Sequence, residues 1–251
     1  MISLNLCLYL SIFIPFLLLT LRLFHRYRVT KEILTLLLAC FFLCLSLASL
    51  FGFLSSFIIL QSGYENVLQW EINVYPTLSF PESWLLIQIV EIRGMLVFQC
   101  LAYYVFYLFR LQSFSTKWHI GKYTIFMTLE TLFVLYIGFI NFVPFGDATD
   151  AISALFVLIL AILIFPQFTI HLIQDRRKIK DETLKQSFTP LIVFGLMILL
   201  GQGLLFLDVA FLFVLGFQNS LLFCVSWGIS VSTIVFAYLG YYQPAKKNST
   251  L

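Results

Sequence analysis

Charge is what this sequence has least of. Only 11% of its residues are Asp, Glu, Lys or Arg, where a soluble domain carries about 25%, while 61% are hydrophobic and the mean hydropathy is +0.99. Fifteen basic and twelve acidic residues cannot clothe an apolar chain of 251 residues in water, so a soluble globule is excluded and most of the surface must face lipid. Cysteine is missing from the connections. Cys7, Cys40, Cys44, Cys100 and Cys224 all fall within apolar runs, which excludes a disulfide framework outside them and leaves small packing residues. Cys40 and Cys44 share a helix face, but without His or carboxylate neighbours they make a poor metal site. Histidine is reduced to His25, His119 and His171, too few and too scattered for a zinc hydrolase or a bis-histidine haem. There is no HExxH, no GxSxG and no glycine-rich phosphate loop. An enzyme is therefore the least favoured class, and no cofactor, metal or nucleic-acid partner is expected.

What the chain does have is long apolar runs, at about 2–23, 33–60, 84–109, 123–143, 151–173, 189–217 and 219–242. Each is near the roughly 20 residues that a helix needs to cross a bilayer. The runs are unbroken rather than alternating, and hydrocarbon offers the backbone no outside partner, so helices are the expected spanning form. The expected fold is an all-α seven-transmembrane-helix bundle over residues 1–242 with a short cytoplasmic tail at 243–251. That leaves little room for an extramembrane domain. The basic residues set the orientation. Arg22, Arg26, Arg28 and Lys31 follow the first run, Arg110, Lys117 and Lys122 the third, Arg176, Arg177, Lys178, Lys180 and Lys185 the fifth, and Lys246 and Lys247 the last. The opposite connections carry Glu65, Glu71, Glu82, Asp147 and Asp150 with no Lys or Arg. The positive-inside rule then puts the N-terminus outside and the C-terminus in the cytoplasm, in a multi-pass protein expected at the plasma membrane. The first run has no basic residue before it and a cluster after it, the reverse of a cleaved signal, so it is expected to remain as the first span.

Two connections are long enough to read. In the outer one, about 61–83, Leu68, Trp70, Ile72 and Val74 alternate with Gln69, Glu71, Asn73 and Tyr75, which suggests a short extended segment ended by Pro76 and Pro81. It reads as an interfacial loop, with a lid over an outward pocket as the functional alternative. The inner segment QDRRKIKDETLKQ mixes charges of both signs on helix-forming residues. It reads as a solvated collar that extends its flanking helices, attracts anionic lipid headgroups and offers a docking surface to a cytosolic signalling partner.

Four ionisable residues fall within apolar runs: Glu91, Arg93, Glu130 and Asp208. A charge at the bilayer centre costs about 2.5–3.5 kcal/mol on insertion scales, so each is expected to face inward, pair or become neutral. Glu91 and Arg93 point about 200° apart on a helix, which turns Arg93 toward Asp208 and Glu91 toward the side carrying Gln88 and Gln99. Glu130 and Asn141, eleven residues apart, are nearly aligned. Together Gln88, Glu91, Arg93, Gln99, Glu130, Asn141 and Asp208 make the expected buried polar network and ligand pocket, open to a small molecule or a proton. Ser46, Ser49, Gly52 and Ser56 in the second run, and Asn219, Ser226, Ser230 and Thr233 in the last, form stripes better suited to close helix packing. In this reading Arg93→Leu disturbs the protein far more than substitution of Arg110, which sits at the inner boundary.

No Lys lies in any run, so the layout resembles a microbial rhodopsin in helix count and orientation without an amine for retinal. The third run ends YLFRLQS and the last lacks an Asn-Pro-x-x-Tyr sequence, so the resemblance to G-protein-coupled receptors is topological. Pro15 in IFIPFLLLTLRLFHRYR and Pro166 in LIFPQFTIHLIQDRRK are each followed by a basic cluster, and Pro166–Gln167 resembles the Pro-Gln dipeptide of PQ-loop and SWEET transporters. That resemblance implies two three-helix repeats with Pro15, Pro166 and Gln167 as hinges, and a small solute as cargo. Short connections and polar mid-helix residues also resemble the seven-helix sensor modules of some microbial histidine kinases, which implies a signal passed to a separate cytosolic partner. The expected function is a sensor or receptor-like module with an outward-facing polar pocket. A small-solute transporter is the alternative, and a structural or assembly subunit the third reading.

The orientation makes a prediction at the sequon Asn248-Ser249-Thr250. Expressed in a eukaryotic membrane, it stays unmodified, and glycosidase treatment leaves the mobility of the protein unchanged. A glycosidase-sensitive shift at Asn248 reverses the orientation.

Overall fold

The structure, a computed structural model, describes residues 2–63, 82–90, 93–114, 120–137, 147–179, 182–215 and 220–241. Among these the chain is all-helical and contains no strand. Its eight helices are α1 (Ile2–Thr30), α2 (Ile33–Gln61), α3 (Glu82–Val90), α4 (Arg93–Ser113), α5 (Ile120–Leu135), α6 (Asp147–Lys178), α7 (Glu182–Leu215) and α8 (Ser220–Tyr241). Six of them, all but α3 and α5, are long and apolar enough to cross a membrane. The run expected at 84–109 is described as two helices, α3 and α4, flanking residues 91 and 92. The run expected at 123–143 is described only as far as Ile137. The alternating segment at 68–75 and the terminal sequon lie outside the described residues. The mixed-charge segment after the fifth run does lengthen both neighbours, since α6 continues to Lys178 and α7 begins at Glu182.

The chain divides into two compact units, Met1–Val157 and Leu158–Leu251, with the boundary inside α6. In the first unit α2 is the hub, packing against α1, α3 and α4, while α5 packs on α4. The α1–α2 pair is set by a tight turn. Lys31 adopts φ 57° and its N–H bonds to the Tyr27 carbonyl at 2.8 Å, closing α1 with a left-handed cap. Glu32 then accepts the Thr35 hydroxyl at 3.2 Å and stands 4.0 Å from Arg26. An aromatic ladder fixes the interior, with Phe16 on Phe42 at 5.8 Å and Phe41 on Phe106 at 4.9 Å between ring centroids, joining α1, α2 and α4. The start of α6 joins α5 through Phe156, which stacks on Phe133 at 4.1 Å. In the second unit α8 lies along α7, and α6 reaches α7 through Phe165 and Phe194.

Several polar groups inside these helices are bonded locally. Thr20 and Thr233 return their hydroxyls to carbonyls four residues back, at 2.8 Å each. Ser55 of α2 donates to the Val90 carbonyl at 2.8 Å, supplying a partner to a buried group in the last turn of α3. Ser226 of α8 donates across to the Gly201 carbonyl of α7 at 3.0 Å.

Glycine marks the closest approaches. A Cβ at Gly52 would overlap the Tyr9 ring of α1, whereas at Gly203 it would meet nothing within 4 Å. Gly52→Ala is therefore expected to destabilise the protein by about 1–3 kcal/mol through overpacking. Gly203→Ala is expected to be neutral or to stabilise by up to about 1 kcal/mol. Thermal unfolding of the purified protein in detergent checks both, and equal effects would refute the close packing of α1 on α2.

Candidate functional site

The expected pocket residues that fall within the described chain are all buried, whereas of the expected hinge residues Pro15 and Pro166 are half-buried and Gln167 is exposed. Gln88 lies on α3, and Arg93 opens α4 with only 1% of its surface exposed. Gln99 lies two turns further along α4, Glu130 on α5 is 5% exposed, and Asp208 on α7 is 1% exposed. Glu91 and Asn141 lie outside the described residues. Asp208 belongs to the second unit and the others to the first. Helix α1 runs through Pro15 and α6 through Pro166, and the carbonyl of Gln167 accepts His171 Nδ1 at 2.7 Å.

Within the first unit the geometry centres on the α4–α5 pair. Tyr107 of α4 and Phe126 of α5 stack with centroids 4.1 Å apart and planes 20° apart. The connection between the two helices is short, so they run antiparallel. One turn back along α4 from Tyr107 is Tyr103, and one turn on along α5 from Phe126 is Glu130. The carboxylate thus faces the α4 turn that carries Gln99, Cys100 and Tyr103. Glu130 is close enough to Cys100 for carboxylate and thiol to interact electrostatically. Both Glu130 oxygens are buried and accept no hydrogen bond from the described residues, and the same holds for Gln99 Oε1. Among the described residues Glu130 makes no ion pair. Leaving a buried acceptor unsatisfied costs about 1–3 kcal/mol, and Ser46 Oγ on α2 and Thr169 Oγ1 on α6 are also buried without a hydrogen-bond partner among the described residues.

Sequence reasoning missed Cys100 and Tyr103 as neighbours of Glu130, and it misjudged Arg110. The signal was available in the spacing. Gln99, Cys100, Tyr103, Phe106, Tyr107 and Arg110 recur at three and four residues along α4, the periodicity of one helix face, and all are buried. Arg110 is not a loose boundary residue. It is 8% exposed and its guanidinium lies 5.0 Å from the Tyr107 ring centroid, a cation–π contact on the far side of the Tyr107–Phe126 stack from Glu130 in sequence order. Among the described residues no group of three or more His, Cys, Asp and Glu side chains could hold a metal ion.

The contrast between Arg93 and Arg110 expected from the sequence therefore gives way to a different one. Arg93→Leu and Arg110→Leu are each expected to destabilise by about 2 kcal/mol or more, because both guanidiniums are buried and engaged. Arg28→Leu, at the exposed end of α1, should stay within about 0.5 kcal/mol of the parent. Melting curves for the three variants decide it, and a mild effect at Arg110 would mean that its contact with Tyr107 contributes little.

Comparison with family models, with curated proteins and with solved structures finds no match to this chain.

Proposed function

We propose that the chain is a multi-pass integral membrane protein that works as a non-enzymatic sensor or receptor-like module. It has seven crossings, an outside N-terminus and a cytoplasmic C-terminus. The single observation that carries this reading is Glu130, a carboxylate deep in an apolar helix pair with neither oxygen satisfied. A structural acid in such a place would be expected to hold a partner. An unsatisfied one is available to a ligand, and changes in its occupancy alter how α4 packs on α5. Six long apolar helices and the apolar α5 support the seven crossings. The clustering of basic residues in alternate connections supports the orientation. In this reading the protein sits in the plasma membrane and meets anionic lipid and a cytosolic signalling partner at the inner face.

Small-solute transport is the second reading, and one observation favours it. Pro15 and Pro166 each lie in the leading helix of a consecutively packed set, α1 with α2 and α4 in one unit, α6 with α7 and α8 in the other. Transport predicts that Pro166→Ala changes solute flux in proteoliposomes while leaving the fold intact. The sensor reading predicts no flux to change.

The sensor reading is tested at Lys117, between α4 and α5, and at Lys122, in the first turn of α5. In nanodiscs, Glu130→Gln should change the rate of tryptic cleavage at these two lysines at least about threefold, as expected when a ligand site biases a two-state element. Identical cleavage rates in parent and variant, with both folded, would overturn the reading.

A further inference from the structure

Arg93 and Arg110 avoid hydrocarbon by burial within the protein, but Arg22, near the end of the first apolar run, is exposed. Its helix face shows what lies beside it. Ile14, Leu18, Leu21, Arg22, His25 and Arg28 recur at three and four residues along α1, one side of a helix, and all six are exposed. The three apolar side chains are 46–56% exposed, as those that meet acyl chains should be. This face is therefore apolar for two turns and then basic.

Depth follows from length. A hydrocarbon core of about 30 Å takes about 20 residues of helix at about 1.5 Å each. Helix α1 begins at Ile2, so about that length brings it to Arg22, and residues 23–30 project about 12 Å further. Arg22 thus stands where lipid phosphates lie, with His25 and Arg28 beyond it at the level of the headgroups. The turn that follows keeps its acid to itself. Glu32 stands 4.0 Å from Arg26 and accepts the Thr35 hydroxyl at 3.2 Å, so it is engaged within its own hairpin, and Lys31 adds a further positive charge 5.7 Å over the Tyr27 ring.

An amphiphile with a phosphate above an acyl chain matches this order of side chains. A soluble phosphate would use the arginines and leave the apolar turns below them unused. A zwitterionic headgroup carries its own cation beside the phosphate, whereas a net negative one gains from each basic residue within a Debye length. We infer that this face of α1 binds an acidic glycerophospholipid, its phosphate on the Arg22 guanidinium and one acyl chain along Leu21, Leu18 and Ile14. The inference deepens the reading of the basic connections as a lipid contact and rests on it, but makes no use of Glu130.

The test uses the full chain in phosphatidylcholine nanodiscs doped with photoactivatable phosphatidylglycerol or phosphatidylcholine of the same acyl chains, with crosslinks mapped to peptides. The phosphatidylglycerol probe should label residues 14–21 at least about threefold more than the phosphatidylcholine probe, as expected where several basic residues attract an acidic headgroup. Arg22→Gln should remove that preference. Arg177→Gln removes an exposed charge in the last turn of α6 and should leave it unchanged. Unlabelled phosphatidylglycerol should compete, and glycerol phosphate in the buffer should not. Equal labelling by the two probes, or a preference that survives Arg22→Gln, overturns the inference, and competition by glycerol phosphate overturns the lipid as its ligand. Should Arg22→Gln fail to fold, a preference that raised salt does not weaken in the parent protein overturns it instead. Both leaflets carry the same lipids, so the outcome does not depend on orientation. Glycosylation of Asn248 would reverse the inner face and leave this site standing, whereas a lost preference with Asn248 unmodified would sink the site alone.

Discussion

The constraint on which the rest of this structure depends is the absence of an outside partner for polar groups inside apolar helices. In water a serine or a terminal carbonyl can turn to solvent. In hydrocarbon it must find its bond within the protein. At several positions the described helices meet that requirement by short local means, while Ser46 Oγ, Thr169 Oγ1 and the Glu130 oxygens do not. Thr20 and Thr233 bond back along their own helices, Ser55 bonds the Val90 carbonyl of α3, and Ser226 bonds the Gly201 carbonyl of α7. Two of these bonds join helices, so satisfying a hydroxyl also sets which helices lie together. The same small residues let backbones approach, as at Gly52 under the Tyr9 ring.

Much of this was legible in the sequence, because periodicity and length are properties of single helices. Both ends of α2 and α8, and the C-terminal end of α7, fall within a few residues of the apolar runs that announce them. The runs of α1 and α6 continue as helix through their basic clusters to Thr30 and Lys178. The α1 extension ends where Lys31 takes a left-handed conformation that hydropathy does not register. The stripe of Ser46, Ser49 and Gly52 is buried, as a small-residue face in a packed helix should be, yet nothing in the spacing of residues ranks Ser55 above Ser56. The distinction lies in the carbonyl of Val90, which belongs to another helix.

The site was less legible for the same reason. Burial of Arg93, Glu130 and Asp208 follows from the cost of exposing charge to hydrocarbon, and needs only one helix at a time. Which groups meet needs two. Glu130 faces Cys100 because Tyr107 and Phe126 stack and fix the register of α4 on α5. Nothing in either segment alone states that register. Arg110 illustrates the opposite error. Its place near the end of an apolar run suggests a side chain that snorkels to the headgroups. The same position, one turn beyond Tyr107, also puts the guanidinium beside an aromatic ring, and in the structure it is buried on that ring.

The α4–α5 pair therefore combines two kinds of contact that pull in different directions. At the Arg110 end, charge and aromatic faces are matched, and the stack of Tyr107 on Phe126 holds the helices in register. One turn away, the same register brings Glu130 to the α4 turn of Cys100, and neither carboxylate oxygen accepts a hydrogen bond from the described residues. Sliding one helix past the other by a residue or two would relieve the carboxylate only by breaking the stack. Rotating α5 would turn the acid toward lipid. The mismatch at Glu130 is thus held in place by the match beside it, the condition under which a destabilised group persists in a folded protein.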